Sequence, residues 1–250
     1  MAMERRFPWS ELKKVCLSTA RTAIPVSAAC ASAGIVIGIV SMTGIGVRFA
    51  QIVVELSGGM LFPMLAMIML ACIVLGMGLP STAAYVIAAA VGAPALLNAG
   101  IPALGANLFV FYFAIISFIT PPVALASYAA AGLADANSSK TGYLAFRLGI
   151  AGFIIPFLYI YHPGLLILGT GAGETMYALL LAVSAVVLIA AALEGWAGVP
   201  LSVPDRLLAA AAAVLLVTTD IRANLAGLAM GAVLAVLLCL RRARRSDGAA

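Results

Sequence analysis

Long apolar stretches follow one another along almost the whole chain, separated by short polar connections. From about residue 22 onward, several of them approach the roughly 20 residues that a helix needs to cross a bilayer. They are rich in Ala, Leu and Gly and lack the strict alternation of a barrel strand. The pattern therefore predicts an all-α polytopic membrane protein. The predicted spans are 22–42, 103–133, 142–160, 175–194, 204–219 and 223–240.

The most unusual segment is 58–134, which contains no charged residue. Its first part has helical composition at 60–75 and 83–97, separated by Gly76-Met77-Gly78-Leu79-Pro80-Ser81-Thr82. Two glycines and a proline remove both the preference for helix and part of its hydrogen bonding. The sequence therefore predicts a re-entrant helical hairpin at 58–98, with its tip entering from the outer face. Two complete crossings joined by a tight turn would give the same topology.

A second break interrupts the apolar run 103–133 at Thr120-Pro121-Pro122. Each proline lacks an N–H and biases the preceding residue away from helix, so Thr120 and Pro121 are expected to be extended. The run is therefore predicted to form a broken transmembrane helix, with two half-helices joined by an unwound link.

The two breaks offer carbonyls, hydroxyls and amides, but no carboxylate or imidazole. A proton relay usually needs a titratable side chain, whereas Na⁺ can be held by carbonyls and hydroxyls at helix breaks. The positive ends of half-helices also favour an anionic substrate group. The predicted ion and substrate contacts are Gly76, Gly78, Pro80, Ser81, Thr82, Thr120, Pro121 and Pro122. Within that set the Na⁺ candidates are Gly76, Ser81 and Thr120.

A purely structural interpretation of the same residues stays open. The Gly-x-Gly-Leu-Pro stretch could be an ordinary aqueous turn between two full spans, and Pro121-Pro122 could be a kink of the kind that membrane helices tolerate. Two interrupted segments in one uncharged stretch favour a transporter site, because broken helices are the expected pointer to one.

Composition excludes most other classes. Hydrophobic residues make up 64% of the 250 residues and charged residues only 9%, against roughly a quarter charged in a soluble domain. The four cysteines lie singly, without a CxxC pair. There is no HExxH, no Walker-type loop and no recognisable Ser/His/Asp set, so the sequence does not favour an enzyme. No cofactor is expected beyond Na⁺ as the coupling ion.

The distribution of basic residues predicts the topology. If 58–98 makes no net crossing, both ends lie on one side with eleven Lys and Arg residues, against Arg48 and Arg222 opposite. That bias makes the eleven-residue side cytoplasmic. Residues 1–21 are predicted to form an interfacial helix there, whereas His162 lies in an outer turn, with an expected interfacial role. The eleven are Arg5, Arg6, Lys13, Lys14, Arg21, Lys140, Arg206, Arg241, Arg242, Arg244 and Arg245.

Small residues and the ends of spans give further expectations. Gly34 with Gly38, and Gly227 with Gly231, have the spacing of close helix contacts. Arg147 lies within a predicted span, near its cytoplasmic end, and is expected to extend to the headgroups. The cluster at 241–245 is expected to anchor the last span through anionic lipid.

The residues at both breaks resemble the tripartite ATP-independent periplasmic (TRAP) transporter family. The likeness is to permeases whose small and large membrane subunits are fused, and it covers about 15–165. It is carried mainly by 75–85 and by Phe118-Ile119-Thr120-Pro121-Pro122-Val123-Ala124. Further matching residues are Ala20-Arg21-Thr22-Ala23, Gly44-Ile45-Gly46, Leu56-Ser57-Gly58-Gly59 and Phe157-Leu158-Tyr159.

The resemblance implies a second inverted repeat of an elevator-type transporter at 22–165, followed by additional spans and a basic tail at 166–250. It implies Na⁺-coupled uptake of an organic anion, such as a dicarboxylate, across the bacterial inner membrane. The implied partners are an extracytoplasmic substrate-binding protein, an N-terminal permease half and a small membrane subunit. Neither of those two permease portions is found in this sequence, so the chain alone is not expected to transport.

Two other functions remain open on the residues alone. A non-transporting membrane scaffold or assembly subunit would use the breaks only as kinks. A passive channel would conduct without a sodium gradient.

Overall fold

The computed structural model describes residues 9–167 and 171–247, and these form an all-α chain without a β-strand. The polytopic, all-helical class predicted from the sequence is confirmed. The helices are α1 (Trp9–Thr43), α2 (Ile45–Leu56), α3 (Leu61–Gly76), α4 (Ser81–Asn98), α5 (Ala103–Ile116), α6 (Leu125–Leu133), α7 (Ser138–Gly149), α8 (Ile155–Tyr161), α9 (Ala172–Glu194), α10 (Val203–Val217) and α11 (Ile221–Asp247).

Four segments of the described chain are long and apolar enough to cross a membrane. They are Ser81–Asn98, Ser138–Tyr161, Ala172–Glu194 and Ile221–Arg241. Gly34–Val40 and Ile45–Leu56 meet at an angle of 65° and give a fifth if they are counted as one span. Because α4 is long enough to cross by itself, the re-entrant path of the hairpin stays a prediction.

The uncharged segment forms the main core together with α2 and α8. Leu65 and Ile68 of α3 are fully buried with Leu96 of α4. The rings of Phe109 and Phe113 lie edge to face at a centroid distance of 4.9 Å, an arrangement that adds to their burial. Cys72, also fully buried in α3, is the packing residue that its apolar context predicts, whereas Cys16 and Cys239 are exposed.

The predicted span 142–160 is present but is not one regular α-helix. Between α7 and α8 the chain forms a 3₁₀ turn, Ile150–Ile154. Pro156 has no N–H to donate to Gly152, and the Gly152 carbonyl instead accepts a hydrogen bond from the Tyr112 hydroxyl at 2.8 Å. The tighter turn therefore ties this span to α5.

The N-terminal region is helical on both sides of the boundary predicted at residue 21. The interfacial helix expected at 1–21 and the span expected at 22–42 belong to a single helix, α1. No glycine lies between Trp9 and Ala33, and Pro25 comes only after the predicted boundary, so the helix continues through residue 21. Residues 1–8 lie outside the described part of the chain, and where α1 meets the membrane surface stays a prediction.

The two small-residue pairs behave differently. In α11, a Cβ at Gly227 would lie 2.9 Å from the Ala212 carbonyl oxygen, and one at Gly231 would lie 3.2 Å from Leu188. At Gly34 and Gly38 no described atom lies within 4 Å of such a Cβ. The contact predicted for the α1 pair is therefore not made within the described chain, because the spacing permits a close approach without supplying a neighbour.

Ionic contacts join the helices at the end that the charge bias makes cytoplasmic. Arg147 of α7 pairs with Glu194 of α9 at 3.4 Å. Arg206 of α10 donates to the Ala192 carbonyl at 2.7 Å, which caps the C-terminus of α9. Arg241 of α11 pairs with Asp205, which also accepts from Ser202. Arg147 thus has a partner within this chain, and the side chains of Arg242, Arg244 and Arg245 lie outside the described set.

We predict that Gly46→Ala destabilises the protein by about 1–3 kcal/mol, because overpacking forces helices apart. A Cβ at Gly46 would lie 2.6 Å from the Ala90 carbonyl oxygen, so α2 would have to move away from α4. The thermal unfolding midpoint of the protein in detergent measures the effect. Gly38→Ala is the matched control, and equal midpoints for the two variants would contradict the prediction.

Candidate functional site

The first break lies where the sequence places it. Helix α3 ends at Gly76, α4 begins at Ser81, and Gly78 between them has a φ of 77°, which favours glycine. The last carbonyls of a helix and its first N–H groups lack partners within that helix. At the end of α3, the Met77 N–H donates to the Val74 carbonyl. No side chain caps the start of α4.

The second break is also present and longer than predicted. Helix α5 tightens into a 3₁₀ turn, Ser117–Ile119, and the chain then leaves helical geometry at Thr120, with φ −95° and ψ 121°. It resumes as α6 after Ala124, which has a φ of 34°. The link between the half-helices therefore runs over 120–124 and extends past the two prolines.

The structure brings the two breaks together. A Cβ at Gly76 would lie 2.7 Å from the Ala114 carbonyl oxygen and 2.8 Å from the Ser117 Oγ. The end of α3 therefore lies directly against the end of α5. Met77 from the first break lines the same cavity as Thr120 and Pro121 from the second.

That cavity has a volume of about 1130 Å³ and an almost entirely apolar lining. Its walls come from α3 and the link, from α7 with the 3₁₀ turn Ile150–Ile154, and from α8, α9 and α10. Among the described lining residues the polar exceptions are Tyr161 and three threonines, Thr120, Thr218 and Thr219. An anion would therefore have to be recognised at the helix ends, since the cavity wall offers no cationic side chain.

The hydroxyls at the second break stabilise the broken backbone. Thr120 Oγ1 donates to the Ile116 carbonyl at 2.8 Å, and Ser117 Oγ donates to the Ala114 carbonyl at 2.6 Å. Both side chains are buried. A hydroxyl that donates its proton in this way keeps oxygen lone pairs as acceptors, so the same groups retain the capacity to contact a cation.

The eight residues predicted as contacts fall into separate environments. Gly76 and Thr120 are buried, and Pro121 is half-buried. The remaining five are exposed: Gly78, Pro80, Ser81, Thr82 and Pro122. Of the three Na⁺ candidates, Gly76 and Thr120 lie where the end of α3 meets the end of α5. Ser81 is exposed at the start of α4 and does not line the described cavity.

Ser127 is a residue that the sequence interpretation missed. It lies in the first turn of α6, is only 5% exposed, and its Oγ has no hydrogen-bond partner among the described residues. An unpaired buried hydroxyl costs about 1–3 kcal/mol, so such a group calls for a functional explanation. Its sequence signal is a hydroxyl one turn beyond a Thr-Pro-Pro break.

Two tyrosines hold the breaks in place. The Tyr128 hydroxyl donates to the Pro122 carbonyl at 2.8 Å and so closes the link on itself. Its ring lies against Gly142, where a Cβ would be 2.8 Å from the Tyr128 Cε1. On the hairpin side, the Tyr85 hydroxyl donates to Asn107 Oδ1 at 3.2 Å and ties α4 to α5.

Comparison with known proteins shows that the chain matches one family model. The family model described as "Tripartite ATP-independent periplasmic transporter, DctM component" matches residues 1–172, more than two thirds of the chain. The match contains both breaks and ends at the start of α9. No curated protein and no solved structure shows significant similarity to the chain.

We predict that Tyr128→Phe loosens the link 120–124. Loss of the hydrogen bond to the Pro122 carbonyl, worth about 1 kcal/mol, raises local opening roughly fivefold. Hydrogen exchange of the amides at 123–126 measures it. Tyr143→Phe is the control, since the Tyr143 side chain is 68% exposed. Unchanged protection in Tyr128→Phe would show that its hydroxyl does not hold the link.

Proposed function

This chain belongs to the family of the DctM component of tripartite ATP-independent periplasmic transporters, and we propose that its two breaks bind Na⁺ and an organic anion during uptake. Membership makes the chain a multi-pass transporter permease component. The family acts with a substrate-binding protein and a small membrane subunit. The bacterial inner membrane as its location is part of the proposal.

The observation that carries the proposal is the contact between the breaks. Gly76 at the end of α3 faces Ala114 and Ser117 at the end of α5. The carbonyl ends of α3 and α5 are thereby brought into one small region. Oxygen ligands of this kind suit a hard cation.

Sodium is the coupling ion in this proposal because the region offers no group for a proton. Residues 58–134 contain no Asp, Glu, His, Lys or Arg. The carbonyl end of α3 and the oxygen of Thr120 are the proposed ligands. Ser127 Oγ, buried and without a described partner, joins them as a further candidate.

The anion is assigned to helix N-termini. Helices α4 and α6 both begin at a break, and no side chain caps the start of either. The N–H groups of a first helical turn and the positive end of the helix dipole attract carboxylate groups. This supports an organic acid as the substrate class, with an extracytoplasmic binding protein delivering it.

The exposed tip of the hairpin supports a role for further permease portions. Gly78, Pro80, Ser81 and Thr82 are exposed in the isolated chain. A second pair of breaks, from an N-terminal permease half related by an inverted repeat, would enclose the substrate against this tip. We therefore propose that transport needs that half and the small subunit.

One observation favours the scaffold alternative. The Ser117 and Thr120 hydroxyls donate to backbone carbonyls of the helix that ends beside them. A break with a purely structural role would show the same bonds. The two functions differ in whether the breaks respond to sodium.

We predict that Thr120→Val raises the sodium concentration for half-maximal uptake roughly tenfold, which corresponds to about 1.4 kcal/mol. The substitution removes the hydroxyl oxygen and preserves the branched shape. Uptake is measured with the complete permease and its binding protein in proteoliposomes. Ser81→Ala tests the other hydroxyl among the Na⁺ candidates predicted from the sequence, in the same assay.

Thr43→Val is the matched control for Thr120. Thr43 Oγ1 donates to the Ile39 carbonyl at 2.7 Å, the same bond to the residue four positions earlier, but far along the chain from either break. Its sodium dependence should not change. Unaltered sodium dependence in both Thr120→Val and Ser81→Ala would show that neither hydroxyl binds Na⁺.

We predict that a cysteine at Leu79 reacts with a membrane-impermeant maleimide at a rate that depends on sodium or substrate. The background variant lacks Cys16, Cys30, Cys72 and Cys239. Asp220→Cys, in an exposed outer turn, is the control and should react at a constant rate. A constant rate at Leu79 as well would favour a scaffold whose breaks are only kinks.

A further inference from the structure

A second cavity lies at the outer end of α9, lined by residues outside both breaks. Its volume is about 320 Å³, and its polar lining consists of His162, Glu174 and Tyr177, with Tyr161 beside them. The turn that begins at His162 directly follows the membrane-spanning segment Ser138–Tyr161. The cavity therefore lies at headgroup depth, on the side that the charge bias makes external.

The cavity has a fixed wall. A Cβ at Gly164 would lie 3.2 Å from the Glu174 carbonyl oxygen and 3.4 Å from the Ala178 Cβ. The His162 carbonyl accepts from the Leu165 N–H at 3.0 Å, which closes the turn. Because the turn packs directly on α9, His162 and Tyr177 hold defined positions on the cavity wall.

Two polar atoms of this lining are buried without a hydrogen bond. They are the Tyr177 hydroxyl and the Nε2 of His162, neither of which has a partner among the described residues. The Leu216 and Thr218 carbonyls lie near the imidazole and oppose the lowering of the His162 pKa that burial causes. Burial prevails, so the pKa of His162 is lowered from its usual value.

The charge of the cavity favours a cation. Glu174 carries the one formal negative charge of the described lining, and no Lys or Arg belongs to it. A transition metal lacks donors there, because the described residues contain no cluster of three or more His, Cys, Asp or Glu side chains. A cation that donates hydrogen bonds fits a lining that offers a carboxylate and a hydroxyl.

We propose that this cavity binds a primary ammonium group. An ammonium group donates hydrogen bonds, and the Glu174 carboxylate and the Tyr177 hydroxyl of the lining are acceptors for it. The aromatic rings of Tyr161 and Tyr177 add faces that attract a cation. Such a ligand would also give the Tyr177 hydroxyl, which has no partner among the described residues, a hydrogen bond.

Two kinds of ligand carry a primary ammonium group that could bind here. One is the headgroup of phosphatidylethanolamine in the outer leaflet, which lies at the depth of the cavity. The other is a small soluble amine such as ethanolamine. Phosphatidylcholine and choline serve as chemical controls, because their quaternary ammonium carries no N–H.

The lipid arm uses the full chain in nanodiscs that contain dioleoyl phosphatidylethanolamine and dioleoyl phosphatidylcholine in equal amounts. Native mass spectrometry then counts the lipids that stay bound after the protein is released from the nanodiscs. The wild-type protein should retain phosphatidylethanolamine roughly tenfold over phosphatidylcholine, as expected for a charge-assisted hydrogen-bonded site. Glu174→Gln and Tyr177→Phe should bring that ratio close to one.

Two controls keep this result interpretable. Glu55→Gln changes an exposed carboxylate on the same predicted side of the membrane and should keep the wild-type ratio. Tyr177→Phe removes a hydroxyl that has no described partner, so its thermal unfolding midpoint should not fall. Loss of lipid preference in a fully stable variant therefore reports on binding.

The soluble arm uses nanodiscs that contain only phosphatidylcholine. A rise in unfolding midpoint with ethanolamine but not with choline, absent in Glu174→Gln, supports a free amine as the ligand. Equal retention of both lipids together with no effect of ethanolamine would overturn the proposal. It would also be overturned by stabilisation with Zn²⁺ alone, or by a lipid preference that survives both cavity variants.

Discussion

The bilayer gives a broken helix few partners for its backbone, and this constraint governs the described structure. An unpaired N–H or C=O costs several kcal/mol in hydrocarbon. The chain satisfies part of that demand internally, because the hydroxyls of Ser117, Thr120 and Tyr128 donate to carbonyls at the second break. The N–H groups at the starts of α4 and α6, the carbonyl end of α3 and the Ser127 hydroxyl remain to be satisfied. Ion, substrate and water are the partners that could supply those bonds.

The close contact at Gly76 makes one site out of two breaks. A side chain there would meet the Ala114 carbonyl and the Ser117 hydroxyl at less than 3 Å, so only glycine lets α3 end against α5. Gly92 plays a similar part deeper in the hairpin, where a Cβ would lie 3.3 Å from Cys72, Ile68 and Val110. The absence of side chains at these points sets the spacing of the hairpin, and that spacing brings Met77 and Thr120 to one cavity.

Local chemistry made the breaks predictable, whereas tertiary contacts hid much of the rest. Pro80 and Pro121 act on their own backbone, so the positions of both breaks could be read from the sequence. The neighbour of a small residue could not: Gly227 packs closely and Gly38 does not, although their spacing is the same. The pairing of Arg147 with Glu194 and the unpaired state of Ser127 likewise depend on distant residues. The 3₁₀ turn at Ile150–Ile154 had a local cause in Pro156, but the apolar pattern around it concealed the change.

The helices beyond the family match are joined to the matched part at both ends. Arg147 pairs with Glu194 at the end that the charge bias makes cytoplasmic, and Gly164 packs on Glu174 at the opposite end. Between these contacts the large cavity separates α9 and α10 from the link that carries Thr120. Its wall is almost wholly apolar, so displacement of the link along it would break few hydrogen bonds or ion pairs. A shift of α9 would instead disturb its contacts with Arg147 and Gly164. Helix α8 packs through Phe157 on Phe62 of α3 and on two rings of α5, so α9 and α10, and not α8, are the helices that the cavity separates from the broken helix.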